Sequence, residues 1–264
     1  MLLEERRSKI LRITEELGFV SLQHLVAEIG ASESTIRRDL EYLEAQDQIQ
    51  RTRGGASYAG ESIADFDSRR VRASRQKKRI AQHTVDMISP GETILLDGGT
   101  TTLEVARYLT GKPLQVLTNS MPIASLLMNR PEIELIFIGG YLYPKTGVAL
   151  GELAVAALKT VHAGRLVMGT GGITAEGLFN SNALLVETER QMIKAADRVT
   201  LVADSSKFGQ RALSHLCPLD AVHDVVTDDG ISDEWRQTLG ARGIRLEFVE
   251  AGASPLVAGL PSDD

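Results

Sequence analysis

From Ala81 onward the chain repeats one pattern, and that pattern limits the fold more than any other feature of its 264 residues. Short β-rich runs (TILLD, LQVLTN, ELIFIGG, RLVMG, VTLVAD, DVVTD and IRLEFVE) alternate with stretches of helical spacing. Parallel strands cannot be joined by tight hairpins. Each needs a crossover, usually a helix, so the alternation predicts a Rossmann-like parallel α/β sheet. No fixed-period repeat interrupts it. Ligands of such open sheets bind outside the carboxyl ends of the strands. DGGTTTLEVA, TNSMPIA, GGYLYPKTG, GTGGITAEG and DSSKFG follow five successive runs and hold almost nothing apolar. One polar strand end is ordinary turn chemistry; five on one edge predict a polar pocket.

The DGGTTT turn is the sharpest of the five. Gly98 and Gly99 allow close approach of the backbone, and Thr100, Thr101 and Thr102 open the next helix, whose positive end would face an anion. Asn119 and Ser120 begin another helix and can act in the same way. Lys207 is a cation at these strand ends, suited to a phosphate or carboxylate, and Asp97 and Asp204 can accept hydrogen bonds from sugar hydroxyls. Gly139 with Gly140, and Gly171 with Gly172, complete the set. Any one of these positions is explained equally well as a turn or a helix cap. Together they point to a small anion or sugar phosphate. Standard nucleotide sites are excluded, because neither G-x-G-x-x-G after the first strand nor G-x-x-x-x-G-K-[ST] occurs.

Ahead of the sheet lies a different texture. Ile10, Leu11, Ile13 and Leu17 have helical spacing within residues 4–17, and Gly18 ends the run. Ser21 can cap a second helix that Gly30 stops, and Ser32 can cap a third reading SESTIRRDLEYLE. QIQRTRGGA then alternates like a short ribbon. Three helices and a hairpin in this span predict a winged helix-turn-helix.

On a helical wheel Ile36, Leu40 and Leu43 share one side of the third helix, which leaves Ser34, Arg38 and Glu41 opposite and Arg37 on the flank. Such a face suits a DNA major groove: Ser34 and Arg38 for base edges, Arg37 for a phosphate. Arg51 and Arg53 would point together from the ribbon to phosphates or a minor groove, whereas Asp39 sits near the core edge, placed to orient an arginine. Ser21, Ser32 and Thr35, at the two helix starts, join the expected DNA-binding set. The plainer reading is a solvated helix with i, i+4 pairs such as Arg37 with Glu41. The capped helices and the basic ribbon weigh against it.

Charge supports this division. The formal net charge of −6 is uneven: residues 1–80 hold 15 Lys and Arg against 13 Asp and Glu, and the remainder 14 against 22. The expected organisation is a DNA-binding domain over residues 1–57, a linker over 58–75, an α/β sensor over 76–252 and a frayed tail over 253–264. With 43% hydrophobic residues, a charged amino terminus and no long apolar run, the expected location is the cytoplasm. The single Cys217 excludes an internal disulfide, and no metal-ligand set or catalytic triad is legible, so neither cofactor nor turnover is expected.

SESTIRRDLEYLE followed by IQRTRGGA resembles the amino-terminal signature of the DeoR family of bacterial transcriptional regulators, and DGGTTT, TNS, IGG and DSSKFG, in that order, are similar to its sensor domain. The resemblance covers nearly the whole chain. It implies a repressor of a sugar or sugar-alcohol catabolic operon, acting as a homodimer or homotetramer on double-stranded operator DNA. It also implies a sensor related to ribose-5-phosphate isomerase that binds a phosphorylated sugar or sugar alcohol, with Gly98 to Thr102 as phosphate cradle. One departure stands out: where family members often carry an aspartate before Gly-Ile, this chain has Gly171-Gly172-Ile173. That loses the obvious general base and disfavours the alternative, an isomerase-like enzyme with an appended helix-turn-helix.

Overall fold

The computed structural model describes residues 3–17, 19–46, 48–52, 54–58, 66, 69–144 and 146–250. Arg53, Gly18, half of the 58–75 connection (59–65, 67 and 68) and the 253–264 tail lie outside the described residues.

The amino-terminal unit contains α1 (Leu3–Leu17), β1 (Phe19–Ser21), α2 (Leu22–Ile29), α3 (Glu33–Ala45), β2 (Ile49–Thr52) and β3 (Gly55–Tyr58). Ser21 caps α2 by accepting from His24 N at 3.1 Å, and Gly30 ends it in the left-handed region at φ 69°. Ser32 Oγ caps α3 by accepting from Thr35 N at 3.3 Å. Ile10, Leu25, Ile36, Leu40, Leu43 and Ile49 form one buried cluster, so the apolar stripe of α3 packs inward as its spacing dictates. Besides the expected β2–β3 ribbon, β1 pairs antiparallel with β3. The pairing needs a glycine: a Cβ on Gly55 would lie 2.0 Å from the Val20 carbonyl oxygen.

The larger unit is built on seven parallel strands: β4 (Thr93–Leu96), β5 (Leu114–Thr118), β6 (Ile133–Phe137), β9 (Ala163–Met168), β12 (Ala196–Val202), β14 (Asp224–Asp228) and β15 (Arg245–Val249). They are the seven runs read from the sequence. Their order, β15-β14-β12-β9-β4-β5-β6, winds outward in both directions from the β4/β9 pair. Along β4, Leu95 faces one core cluster while Ile94 and Leu96 face the other. The second cluster takes α4 (Ser74–Asp86), α5 (Thr100–Tyr108) and α6 (Met121–Leu127); the first takes α7 (Glu152–Leu158), α8 (Ala183–Lys194) and α9 (Asp233–Ala241). Helices on both faces explain why these strands are apolar without alternation. Two small antiparallel additions were not legible: the ribbon β7 (Tyr141–Tyr143)–β8 (Val148–Leu150), and the sheet β10 (Gly172–Thr174)–β11 (Gly177–Asn180)–β13 (Ser214–Cys217). No described helix is long and apolar enough to cross a membrane.

Candidate functional site

Beyond the carboxyl ends of β12, β9 and β4, where the winding direction of the sheet reverses, lies a cavity of about 110 Å³. An open α/β sheet places its ligand at this switch point. The size admits a small polar ligand and falls below the ~300 Å³ of a drug-sized site. From β4 the cavity receives Asp97, Gly98, Gly99, Thr100 and Thr101; from β9, Gly169 and Thr170; from β12, Asp204, Ser206 and Lys207. Gly99 is the N-cap of α5 and brings no side chain to cap it, so the first-turn amides keep their donors for another acceptor. Asp204 is 4% exposed, and its carboxylate accepts from Ser206 N at 3.2 Å and from the Ser206 hydroxyl.

Several expected residues lie away from this cavity, because the β7–β8 ribbon closes over the ends of β5 and β6. Asn119 takes part in that closure: its backbone carbonyl accepts from Ala149 N at 2.8 Å and its Nδ2 donates to Ala149 O at 3.0 Å, while its Oδ1 is buried without a hydrogen-bond partner among the described residues. Ser120 caps α6 beneath the ribbon, accepting from Ile123 N at 3.5 Å. Gly139 and Gly140 precede the ribbon, and Gly140 sits against the carbonyl of Leu150. Thr102 is fully buried, its hydroxyl turned back to Gly99 O at 3.1 Å. Gly171 donates to Phe179 O at 3.0 Å, and Gly172 lets the Gln210 carbonyl pass where a Cβ would stand 2.3 Å away. Close packing against neighbouring chain is what the structure shows at this glycine pair.

The cavity also holds residues that the strand ends did not reveal. Thr146, from the turn of the ribbon, is 7% exposed and its hydroxyl is buried without a hydrogen-bond partner among the described residues. Asn180 and Glu189 meet there, Nδ2 donating to Oε1 at 2.6 Å. Arg69, Arg72 and Lys77 enter from the segment before β4. Lys77 is 4% exposed and donates from Nζ to the Arg69 carbonyl. Burial pulls its pKa down to about 8; Asp204 opposes this, while Lys207, Arg69 and Arg72 add to it. Only the basic run SRRVRASRQKKR could have pointed to these cations, and spacing alone does not show that it folds over the sheet. Four cations thus stand against the three carboxylates Asp97, Glu189 and Asp204.

On the amino-terminal unit, Ser34, Arg37, Arg38 and Glu41 are exposed on one side of α3. The Ser32 hydroxyl lies 3.0 Å from that of Ser34 and 2.8 Å from that of Thr35. Arg37 pairs with Glu33 at 2.6 Å, not with Glu41. Glu41 instead joins Glu44 in holding Arg51, at 2.8 and 2.7 Å. Arg38 makes no ion pair among the described residues, so its guanidinium is available to a base edge. Buried Asp39 accepts from Arg6 and Arg7 at 2.5 and 3.0 Å, locking α3 to α1. An exposed cationic helix face fixed to a buried stripe has the form that enters a DNA groove.

Two family models match this chain: the DeoR-like helix-turn-helix domain over residues 6–61 and the DeoR C-terminal sensor domain over residues 72–229. The uncharacterised HTH-type transcriptional regulator YulB of Bacillus subtilis is 35% identical over 252 residues, covering 94% of this chain and 98% of that protein. The HTH-type transcriptional regulator UlaR of Escherichia coli K12 is 27% identical, covering 92% of this chain and 97% of that protein. Among solved structures, ribose 5-phosphate isomerase A of Methanocaldococcus jannaschii is 18% identical, covering 50% of this chain and 53% of that one, with a TM-score of 0.37. So distant a likeness bears no functional argument. The chain belongs to the DeoR family of DNA-binding transcriptional regulators, with a helix-turn-helix domain followed by a C-terminal sensor domain.

Proposed function

We propose that this regulator is a cytoplasmic repressor that leaves its operator when a phosphorylated sugar or sugar alcohol occupies the cavity beyond β4, β9 and β12. One observation carries the reading. The uncapped amino terminus of α5 and the Lys207 side chain border one small polar cavity at the switch point of the sheet. Backbone amides and a cation suit the phosphate. Asp97, Asp204 and the unpartnered Thr146 hydroxyl suit the hydroxyls of a short polyol. On DNA the protein acts as a homo-oligomer, because one recognition helix reads too few base pairs and paired half-sites supply the remainder. Ligand binding favours an arrangement whose recognition helices no longer fit the half-site spacing, through unequal affinity for the two arrangements.

The test begins with selecting the preferred DNA from a random pool. Fluorescence anisotropy on that DNA, titrated with a panel of phosphorylated sugars and sugar alcohols, should show release by a subset of them and not by the unphosphorylated parents. Unchanged DNA affinity across the panel would overturn the proposal. Steady conversion of a panel member in a coupled assay would point to the enzymatic alternative instead.

A further inference from the structure

We infer that the stretch from Arg69 to Lys77, which spans the start of the sensor domain, is part of the ligand site. Arg69, Arg72 and Lys77 bind the anionic group of the ligand alongside Lys207 and the α5 amino terminus, and this contact carries occupancy toward the DNA-binding domain. The inference rests on the cavity being the effector site proposed above.

Three observations support it. All three side chains line the cavity, although residues 69–73 come before the first element of the sensor core. Lys77 fastens that segment twice: its amide donates to the Ala73 carbonyl at 2.9 Å, and its Nζ donates to the Arg69 carbonyl. An ammonium has three donors, so two remain for ligand oxygens. Ala73, between them, is the only non-glycine residue with positive φ among the described residues, at 52°, and it caps α4 without a side-chain hydrogen bond. A left-handed alanine is a strained conformation that persists only where its surroundings impose it.

Electrostatics give the segment a reason to respond. Without ligand, Arg69, Arg72, Lys77 and Lys207 face one another around a space that holds Asp97, Glu189 and Asp204. The four cations exceed the three carboxylates by one, and an anionic group placed there offsets that surplus and gains hydrogen bonds from the segment as well as from the sheet. A ligand that contacts the segment binds more tightly to the arrangement that holds the segment over the cavity than to one that does not, which is the differential interaction a population shift requires. The favoured class is a phosphate monoester, whose three terminal oxygens can accept from the segment and from the sheet together, where a carboxylate offers two.

Hydrogen–deuterium exchange on the full chain tests this, with inorganic phosphate as the probe. The expected result is slower exchange both at residues 97–103 and at residues 69–80. Phosphate affinity should fall at least tenfold in Arg72→Gln, which changes an exposed side chain, and likewise in Lys77→Met. Protection confined to 97–103, or unchanged phosphate affinity in both variants, would overturn the inference and leave the cavity standing as the ligand site. No protection in either region would overturn both.

Discussion

Replacing Lys77 with methionine should make the ligand-free protein more stable. The ammonium is 4% exposed, and its pKa lies at about 8 against an ordinary 10.5. At about 1.4 kcal/mol per pH unit, holding it charged at neutral pH costs the native state about 3 kcal/mol. Methionine keeps the unbranched stem and removes the charge. Losing the hydrogen bond to the Arg69 carbonyl returns about 1 kcal/mol, so the net gain is about 2 kcal/mol. In a chain of this length that raises Tm by roughly 4–8 °C. The sign of the pH dependence follows from the lowered native pKa. Between about pH 8 and 10.5 the unfolded chain binds more protons than the native one, so wild-type stability rises with pH and the advantage of Lys77→Met shrinks. Calorimetry at pH 7 and pH 10, in phosphate-free buffer, measures both. A variant less stable than wild type at pH 7, or a difference constant between the two pH values, would refute the reasoning. Ligand binding should be coupled to proton uptake near pH 8, because an anion beside Lys77 restores its charge against Lys207, Arg69 and Arg72, with Asp97, Glu189 and Asp204 facing the same space.

Arg38→Ala should cost ~1–3 kcal/mol at one operator position and relax base preference there, as read by binding to single-substituted DNA sites. Arg51→Ala should weaken all sequences alike and lower the slope of log affinity against log salt by no more than about 1, a ceiling set by its pairing with Glu41 and Glu44 on the ribbon. Asp224→Asn tests stability remote from the cavity. Burial works against the charged form of Asp224, yet the Arg198 guanidinium, with two bonds of 2.6 Å, holds its pKa below the ordinary carboxylate range. The variant should be less stable by about 2 kcal/mol and so unfold at lower temperature, a figure reduced from that of a fully buried pair because Arg198 is 42% exposed. Wild type should lose the same contribution only as pH falls below about 4 and through the lowered pKa.

The parallel sheet was legible because strands covered on both faces read as continuous apolar runs, and all seven are where those runs lie. The stripe Ile36, Leu40 and Leu43 was legible because helical spacing alone assigns it. Asp97, Gly99, Thr100, Asp204 and Lys207 reach the cavity because the ends of adjacent strands must converge. Asn119 and Gly140 lie outside the cavity lining for a physical reason. A ribbon formed by YLY and VAL, too short to signal itself, covers two of the five strand ends. Lys77, Arg69 and Arg72 were hidden for the converse reason. Their approach depends on how the segment before β4 turns back over the sheet, which no local periodicity encodes.

The most direct test of the central claim is a crystal structure of the full chain soaked with a phosphorylated sugar alcohol. The account predicts the phosphate at the amino end of α5, within hydrogen-bond reach of the Thr100 and Thr101 amides and the Lys207 ammonium. An unoccupied cavity, or a ligand bound elsewhere while operator DNA is still released by the same compound, would contradict it.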